Sequence, residues 1–168
     1  LGKKLSITSN KPQTTRHRLV GIKSTDETQY VFVDTPGLHT DAKRAMNKWM
    51  NKTALTTLHD VDLIVLMIEA GRFGKDDEWA LRQLQKTRVP VILAVNKVDK
   101  IADKKELLPF IDELAKKYNF KTIIPISARS SEQVDVLLGT VSDFLPEGPP
   151  LYPLDQVTDR SDQFIVSE

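Results

Sequence analysis

Apolar and polar residues follow one another along the chain in an order that predicts regular strands and helices. Two short alternating segments come first and predict an antiparallel hairpin, with strands at residues 18–23 and 29–34 and a polar turn between them. Continuous apolar runs then predict three buried strands, at 63–68, 89–95 and 122–126. Apolar residues at helical spacing predict helices at 46–61, 76–87, 103–118 and 130–145.

This order of elements predicts an α/β fold with a mostly parallel sheet and helices on both faces. In such sheets, ligands bind at the carboxyl ends of the strands. The 168 residues are enough for one domain of ordinary size, which we place at residues 1–145. Residues 146–153 contain four prolines and predict a linker, and residues 154–168 carry a mixed pattern.

Composition and charge exclude several classes of function. The net charge of +1 gives no overall attraction to nucleic acid or membrane. Residues 1–25 nevertheless hold six Lys and Arg and no acid, which is typical of a solvated basic face or of one that meets phosphate or RNA. The chain has no cysteine, which excludes disulfides and thiolate metal sites and favours a reducing cytoplasm. Its three histidines lack the spacing of metal ligands.

The pattern Asn-Lys-x-Asp follows the predicted strand at 89–95 and suits guanine recognition. The carboxylate of Asp99 can accept both N–H donors on the Watson–Crick edge of guanine, whereas adenine presents an acceptor at the matching position. The aliphatic stem of Lys97 can lie over the base or ribose, and Asn96 can bind the purine and brace nearby loops. A polar turn after a buried strand explains the same residues without any ligand.

A second pattern, Asp34-Thr35-Pro36-Gly37, follows the strand at 29–34. A carboxylate there can hold Mg²⁺ through a water molecule, and Gly37 leaves its N–H open to a γ-phosphate. A Mg²⁺-binding threonine is expected upstream, and we assign Thr15 first and Thr14 second. The same residues are also ordinary turn chemistry.

The two patterns gain weight from their order along the chain. Asp34–Gly37, Asn96–Asp99 and Ser127–Ala128 each follow a predicted strand, so we expect all three clusters at one edge of the sheet. A backbone N–H of Ser127–Ala128 could bind the carbonyl oxygen of guanine. Together the three clusters favour a guanine-nucleotide site, with Thr15, Asp34 and Gly37 as the residues nearest the chemistry.

The segments SITSNKPQTTRHRLVGI, VDTPGLH, ILAVNKVDK, PISA and TDRSDQFIVSE resemble the Era family of bacterial GTPases, within the Era/MnmE/EngA group. The resemblance covers essentially the whole chain and implies a Ras-like P-loop NTPase fold that binds GTP or GDP with Mg²⁺. The implied nucleotide-binding residues are Gln13, Thr14, Thr15, Arg16, His17, Asp34, Thr35, Pro36, Gly37, Leu38, Asn96, Lys97, Val98, Asp99, Ser127, Ala128 and Arg129, with Thr15 and Asp34 at the metal.

The resemblance also implies partners and a location. Era proteins hydrolyse GTP, bind the 3′ region of small-subunit ribosomal RNA through a KH-type domain and assist assembly of the small ribosomal subunit. We therefore expect a monomer in the cytoplasm, with peripheral association at the inner membrane. Some relatives use K⁺ for charge stabilisation. A non-catalytic fragment and a cousin GTPase of the MnmE/EngA type remain alternatives.

Departures from the family pattern shape these expectations. The phosphate-binding loop G-x-x-x-x-G-K-[ST] does not occur in the sequence, and the resemblance places it before Leu1, with the first strand. We expect residues 146–168 to be a Pro-rich linker and the start of a KH domain that is otherwise missing. We also expect an N-terminally truncated G domain at residues 1–145 that binds GTP weakly alone. Arg129 stands where the family usually has an acid. Leu38 replaces the glutamine that orients water in many GTPases, which predicts slow intrinsic turnover.

Overall fold

A computed structural model of the chain describes residues 19–34 and 55–158. The chain divides into two compact units, one made of residues 1–57 and 147–168 and the other of residues 58–146. The described part contains five strands and three α-helices, with two strands in the first unit and the other elements in the second.

The first unit is built on the predicted hairpin. Strand β1, Leu19–Ser24, pairs antiparallel with β2, Gln29–Asp34, from Leu19 opposite Asp34 to Ser24 opposite Gln29. The turn is closed by Thr25, whose N–H donates to the Thr28 carbonyl oxygen at 2.8 Å. Val20 and Ile22 are buried on one face of the hairpin, and Tyr30, which lies opposite Lys23, is buried on the other.

The segment after residue 147 returns to this hairpin. The Ile22 N–H donates to the Val157 carbonyl oxygen at 2.9 Å, and the hydroxyl of buried Thr158 donates to the Val20 carbonyl oxygen at 2.8 Å. The side-chain amide of Gln29 also makes two 2.9 Å hydrogen bonds to the backbone of Tyr152, one as donor and one as acceptor. These contacts attach residues 152–158 to β1 and β2 over a separation that no local sequence pattern reveals.

The second unit is a parallel α/β sheet, as predicted. Its strands are β3, Ile64–Glu69; β4, Val91–Asn96; and β5, Thr122–Pro125, in the order β3-β4-β5. The central strand β4 is buried on both faces, because all five residues from Val91 to Val95 are at most 1% exposed. A continuous apolar run is what such a strand requires.

Three helices accompany this sheet: α1, Lys75–Leu84; α2, Leu107–Lys117; and α3, Val134–Ser142. Leu84 of α1 packs in one cluster with Val91, and Leu114 of α2 packs in another with Leu93 and Val95. Since these β4 residues alternate along the strand, α1 and α2 cover the same face. The predicted helix at 46–61 lies mostly outside the described residues. Of its described part, residues 55–57 are helical.

Asp103 with Glu106, and Ser130 with Gln133, have the sequence spacing of capping boxes and predict helix starts there. The two predictions had different outcomes. The Asp103 side chain accepts the Lys105 N–H at 2.9 Å and caps a short 3₁₀ turn that leads into α2, so a cap at Asp103 is confirmed. The prediction at Ser130 is wrong, because α3 begins only at Val134. Residues Ser131 and Gln133 have φ values of +60°. Left-handed residues cannot form the first turn of an α-helix.

Candidate functional site

The carboxyl ends of β4 and β5 bring two of the predicted patterns together. β4 ends at Asn96, and a 3₁₀ turn, Val98–Lys100, follows it. The Val98 N–H donates to the Ile126 carbonyl oxygen at 3.2 Å, which joins this turn to the residue before Ser127. The residues of the Asn-Lys-x-Asp pattern and Ser127 therefore lie at one edge of the three-stranded sheet, where parallel sheets bind ligands.

Asn96 connects the two loops through a single oxygen atom. Its Oδ1 accepts the Lys97 N–H at 2.7 Å and the Ala128 N–H at 3.0 Å. Its Nδ2 lies 3.3 Å from the sulfur of Met67 on β3. Asn96 thus braces the loops. A backbone N–H of Ser127–Ala128 was predicted for a guanine carbonyl oxygen, and the one at Ala128 is donated to Asn96 in this structure.

Lys97 is held in an unusual backbone conformation with its side chain directed to β3. Its φ of +66° lies in the left-handed region, which costs a non-glycine residue about 1 kcal/mol or more and often marks functional sites. The Lys97 ammonium donates a short hydrogen bond to Oε2 of Glu69. The stem of Lys97 therefore runs along the edge of the sheet, between the ends of β4 and β3.

Glu69 is a site residue that the sequence interpretation missed. It is the last residue of β3 and pairs with Asn96 in the parallel ladder, which places its carboxylate beside Lys97. The hydrogen bond from Lys97 is the main reason that the pKa of Glu69 lies below its ordinary value, and the charges of Lys97, Arg72 and Lys100 add to it. An acid directly after an apolar run was the available signal, but the predicted strand ended one residue too early.

Asp99 is positioned by Ser127, which is fully buried. The Ser127 hydroxyl donates to Asp99 Oδ1 at 2.7 Å and accepts the Ser130 N–H at 3.2 Å. The Ser127 N–H donates to the Glu132 carbonyl oxygen at 3.1 Å, so the serine backbone is fixed as well. The orientation of the Asp99 carboxylate is therefore set by a residue in the loop that follows β5.

The Asp99 carboxylate is exposed and favours its ionised form. The Ser127 hydrogen bond is the largest cause that lowers its pKa, and the charges of Arg129 and Lys100 act in the same direction. An ionised carboxylate has about four acceptor sites, of which Ser127 uses one, so it retains capacity for two ligand N–H donors. This is the chemistry that guanine requires.

Two further predicted residues contribute in different ways. The side chain of Val98 is 6% exposed and belongs to the core cluster with Leu114, so Val98 can meet a ligand only through its backbone. Arg129 is exposed, and its charge acts on Asp99. The basic residue at this position thus supports an ionised carboxylate at the site.

Comparison with known proteins decides the family. Residues 1–97 match the family described as 50S ribosome-binding GTPase, which is more than half of the chain. The chain belongs to the 50S ribosome-binding GTPase family. The prediction from the sequence that the chain belongs to a family of GTPases is therefore confirmed.

Within the 50S ribosome-binding GTPase family, the chain is similar to proteins named GTPase Era, as the sequence predicted. It is 50% identical over all 168 residues to GTPase Era of Glaesserella parasuis, and 49% identical over the same length to that of Cronobacter sakazakii. Each match covers 56% of the relative. The chain therefore spans about half the length of the curated relatives that it matches.

Solved structures confirm the predicted fold class of this GTPase family member. A crystal structure of Era in complex with MgGDPNP and nucleotides 1506–1542 of 16S ribosomal RNA superposes with a TM-score of 0.92 at 38% identity, covering 98% of this chain and 56% of that one. A variant of Aquifex aeolicus Era bound to GDP·AlF4⁻ gives 0.87 at 38% identity, covering 96% and 55%. The fold is that of an Era-like P-loop GTPase.

The phosphate and metal half of the predicted site falls mainly outside the described residues. This applies to Gln13–His17, which include Thr14, Thr15 and Arg16, and to Thr35–Leu38 with Pro36 and Gly37. Asp34 ends β2 with an exposed side chain. Within residues 19–34 and 55–158, no group of three or more His, Cys, Asp or Glu side chains could hold a metal ion. The predicted roles of Thr15, Asp34 and Gly37 stay predictions.

Proposed function

We propose that this protein is a GTP-binding and GTP-hydrolysing switch that binds small-subunit ribosomal RNA and assists assembly of the small ribosomal subunit. The observation that carries the nucleotide part is the ionised Asp99 carboxylate, fixed by the buried Ser127 beside the end of β4. The RNA part is supported by the Era structure described with 16S ribosomal RNA nucleotides. The description of the family names the large ribosomal subunit. We follow the Era structure in the choice of RNA, because it is a more specific comparison than the family as a whole.

Guanine selectivity follows from the donors and acceptors at the site. Asp99 accepts N1–H and the exocyclic amine of guanine in a bidentate pair, which an ionised carboxylate favours. Adenine would place an acceptor opposite the carboxylate. A site built to accept a donor from its ligand can reject an analogue that lacks this donor by roughly 10⁴-fold. Lys97, held by Glu69 at its ammonium, presents its apolar stem to the base or ribose.

Mg²⁺ fits the oxygen ligands that the chain offers for it. Asp34 presents a carboxylate at the carboxyl end of β2, and Mg²⁺ prefers oxygen ligands and retains several waters. Asp34 would hold the ion through a water molecule and Thr15 would ligate it, and the ion would neutralise charge on the β- and γ-phosphates. Gly37 would approach the γ-phosphate through its N–H, and K⁺ is a further candidate ion. With Leu38 in place of glutamine, we expect slow hydrolysis.

The proposal extends to location and assembly. We place the protein in the cytoplasm as a monomer, with peripheral association at the inner membrane. In residues 19–34 and 55–158, no helix is both long and apolar enough to cross a bilayer. The Era identity of the relatives favours this function over that of a MnmE- or EngA-type cousin.

Nucleotide selectivity tests the proposal directly. The chain, extended at its amino end with the phosphate-loop segment of the Glaesserella parasuis relative, is titrated with fluorescent GDP in competition with GDP, ADP and xanthosine diphosphate. We expect GDP to compete at least a hundredfold better than ADP, and Asp99→Asn to shift preference towards xanthosine diphosphate. Asp103→Asn is the matched control, because asparagine retains the helix cap. Equal competition by ADP and GDP would refute the proposal.

A further inference from the structure

A cleft of about 690 Å³ lies at the edge of the three-stranded sheet opposite to the candidate nucleotide site. Two segments line it: residues 85–91, which connect α1 to β4, and residues 115–121, which connect α2 to β5. Val91 begins β4 and Asn96 ends it, so the two sites are separated by the length of the strand, about 17 Å. We call this feature the basic cleft.

The basic cleft is strongly positive although the chain as a whole is nearly neutral. Arg88, Lys116, Lys117 and Lys121 line it, and Lys86 lies between two lining residues. All five side chains are exposed. Neither segment contains an aspartate or glutamate, whereas the whole sequence has 24 basic and 23 acidic residues. The charge is therefore concentrated at this place.

Three of these cations have no acidic partner in the described part of the chain. Among residues 19–34 and 55–158, no carboxylate oxygen lies within 4.0 Å of the charged nitrogens of Arg88, Lys116 or Lys121. Lys117 lies over the ring of Phe73, with its ammonium 4.9 Å from the centroid. Lys86 donates to the neutral side chain of Gln83. The positive charge is thus available to an external anion.

Helix dipoles explain only part of this concentration. Lys116 and Lys117 lie in the last turn of α2, where cations are favoured by the carbonyl end of a helix. That effect falls off within the last turn. Arg88 lies four residues beyond the end of α1, and Lys121 directly precedes β5. The helix dipole therefore does not explain the basic residues Arg88 and Lys121.

The cleft offers charge but no platform on which a base could stack. The hydroxyl of Tyr118 donates to the Leu84 carbonyl oxygen at 3.3 Å, and burial raises the pKa of this phenol. Its ring packs against Phe120, with centroids 4.9 Å apart, and Phe120 in turn packs on the apolar core. Proteins that bind single strands combine cations with exposed aromatic rings, whereas duplex RNA is bound mainly through its backbone and shape.

We propose that the basic cleft binds the phosphodiester backbone of double-helical RNA. A concave, acid-free surface fits the convex and uniformly negative ridge of a duplex better than it fits a flat membrane. The choice of RNA as the nucleic acid rests on the proposed function, whereas the duplex form follows from the cleft. Because the two sites lie at opposite ends of β4, bound nucleotide leaves the cleft open.

Fluorescence anisotropy with a labelled RNA duplex of about 16 base pairs tests the proposal. The cleft variant carries Arg88→Glu, Lys116→Glu and Lys121→Glu in the full chain. The control variant carries the same charge change at three exposed lysines elsewhere: Lys75→Glu, Lys104→Glu and Lys105→Glu. We expect at least a tenfold loss of affinity in the cleft variant, with a salt slope smaller by about three. The control should change less than threefold, because distant charges are screened.

Circular dichroism checks folding, and a neutral set, Arg88→Gln, Lys116→Gln and Lys121→Gln, replaces the glutamates if they unfold the chain. Equal losses in cleft and control variants would overturn the proposal. So would tighter binding to a single strand of the same length, or to vesicles of phosphatidylcholine and phosphatidylglycerol at 3:1. Duplex binding without GDP binding would support the cleft while contradicting the nucleotide function.

Discussion

The hydroxyl of Ser127 donates a 2.7 Å hydrogen bond to Oδ1 of Asp99, although 28 positions separate the two residues. A buried serine just beyond the end of β5 thereby orients an exposed carboxylate beyond β4. Base recognition at this site depends on that orientation as well as on the carboxylate itself.

Replacing Ser127 with alanine should weaken guanine binding without removing the carboxylate. Ser127→Ala leaves Asp99 free to rotate and leaves the Ser130 N–H without its acceptor. We expect a roughly tenfold loss of GDP affinity, since one positioned hydrogen bond to a charged group is lost. Fluorescent GDP titration of the extended chain measures it. Ser130→Ala is the control, because it retains the same N–H, and equal losses in both variants would count against the orienting role.

The same substitution should raise the pKa of Asp99. A hydrogen bond donated to a carboxylate stabilises its charged form, so the pKa of Asp99 is lowered in the folded chain, with Ser127 as the largest cause. Ser127→Ala removes that cause, and the pKa moves up towards its ordinary value. Carboxyl carbon chemical shifts of Asp99 across a pH titration report the change. An unchanged titration midpoint would mean that the backbone hydrogen bond at Asp99 and the charges of Arg129 and Lys100 are sufficient to keep the pKa of the carboxylate low.

Glu69 should contribute to stability at neutral pH and lose that contribution in acid. Its folded-state pKa is below the ordinary value, so the stabilisation is complete above the unfolded-state pKa and disappears as pH falls through the folded-state pKa. Thermal unfolding midpoints should therefore fall from about pH 5 downward, and Glu69→Gln should flatten that fall. Glu113→Gln, on the exposed side of α2, serves as control. Parallel acid limbs for the Glu69 variant and the unmodified chain would contradict this role.

Glu69→Gln should also affect nucleotide binding more than stability at neutral pH. An ion pair at this exposure contributes about 0–1 kcal/mol to folding, and Glu69 and Lys97 are 28% and 44% exposed. Loss of this ion pair frees the Lys97 side chain, which we expect to lie beside the base. We therefore predict a several-fold loss of GDP affinity. Arg72→Gln is the matched control, because that guanidinium lies 3.9 Å from the same carboxylate. A loss as large in the Arg72 variant would show a general charge effect instead.

Leu114 anchors α2 on the sheet and should be sensitive to truncation. It is 1% exposed and packs in one cluster with Leu93 and Val95. Leu114→Ala should lower the free energy of unfolding by about 2–5 kcal/mol, measured by urea denaturation. Leu108→Ala on the same helix should change it by about 0.5 kcal/mol or less, because Leu108 is 68% exposed. Similar losses in both variants would mean that α2 packs differently in solution.

The sheet and one half of the site could be predicted because their signals are local. The apolar run of β4 and the polar residues Asn96–Asp99 are contiguous, so burial and chemistry can be inferred from neighbouring positions. The Glu69–Lys97 pair could not be found in this way, because it depends on the register of β3 beside β4. The contact of Gln29 with Tyr152 joins residues 123 positions apart, which is beyond any local pattern.

The failed capping box at Ser130 shows how a tertiary contact overrides a local motif. Ser130 and Gln133 have the spacing of a helix start. In the structure, the Ser130 N–H donates to the Ser127 hydroxyl instead, and Ser131 and Gln133 adopt left-handed conformations before α3 begins. The loop is thus shaped around Ser127, the residue that positions Asp99. The departure from the local rule coincides with the candidate site, as is common for residues selected for function.

Asn96 accepts two amide protons on one oxygen, from Lys97 and from Ala128. Either amide hydrogen can exchange with solvent only after its hydrogen bond to Oδ1 of Asn96 breaks. Rotation of the Asn96 side chain breaks both hydrogen bonds at once. Hydrogen exchange at Lys97 and Ala128 is therefore expected to follow a single opening event, with one shared rate. A ligand that contacts either loop should then slow exchange at both amides. Two segments that are distant in sequence would therefore report together whether the site is occupied.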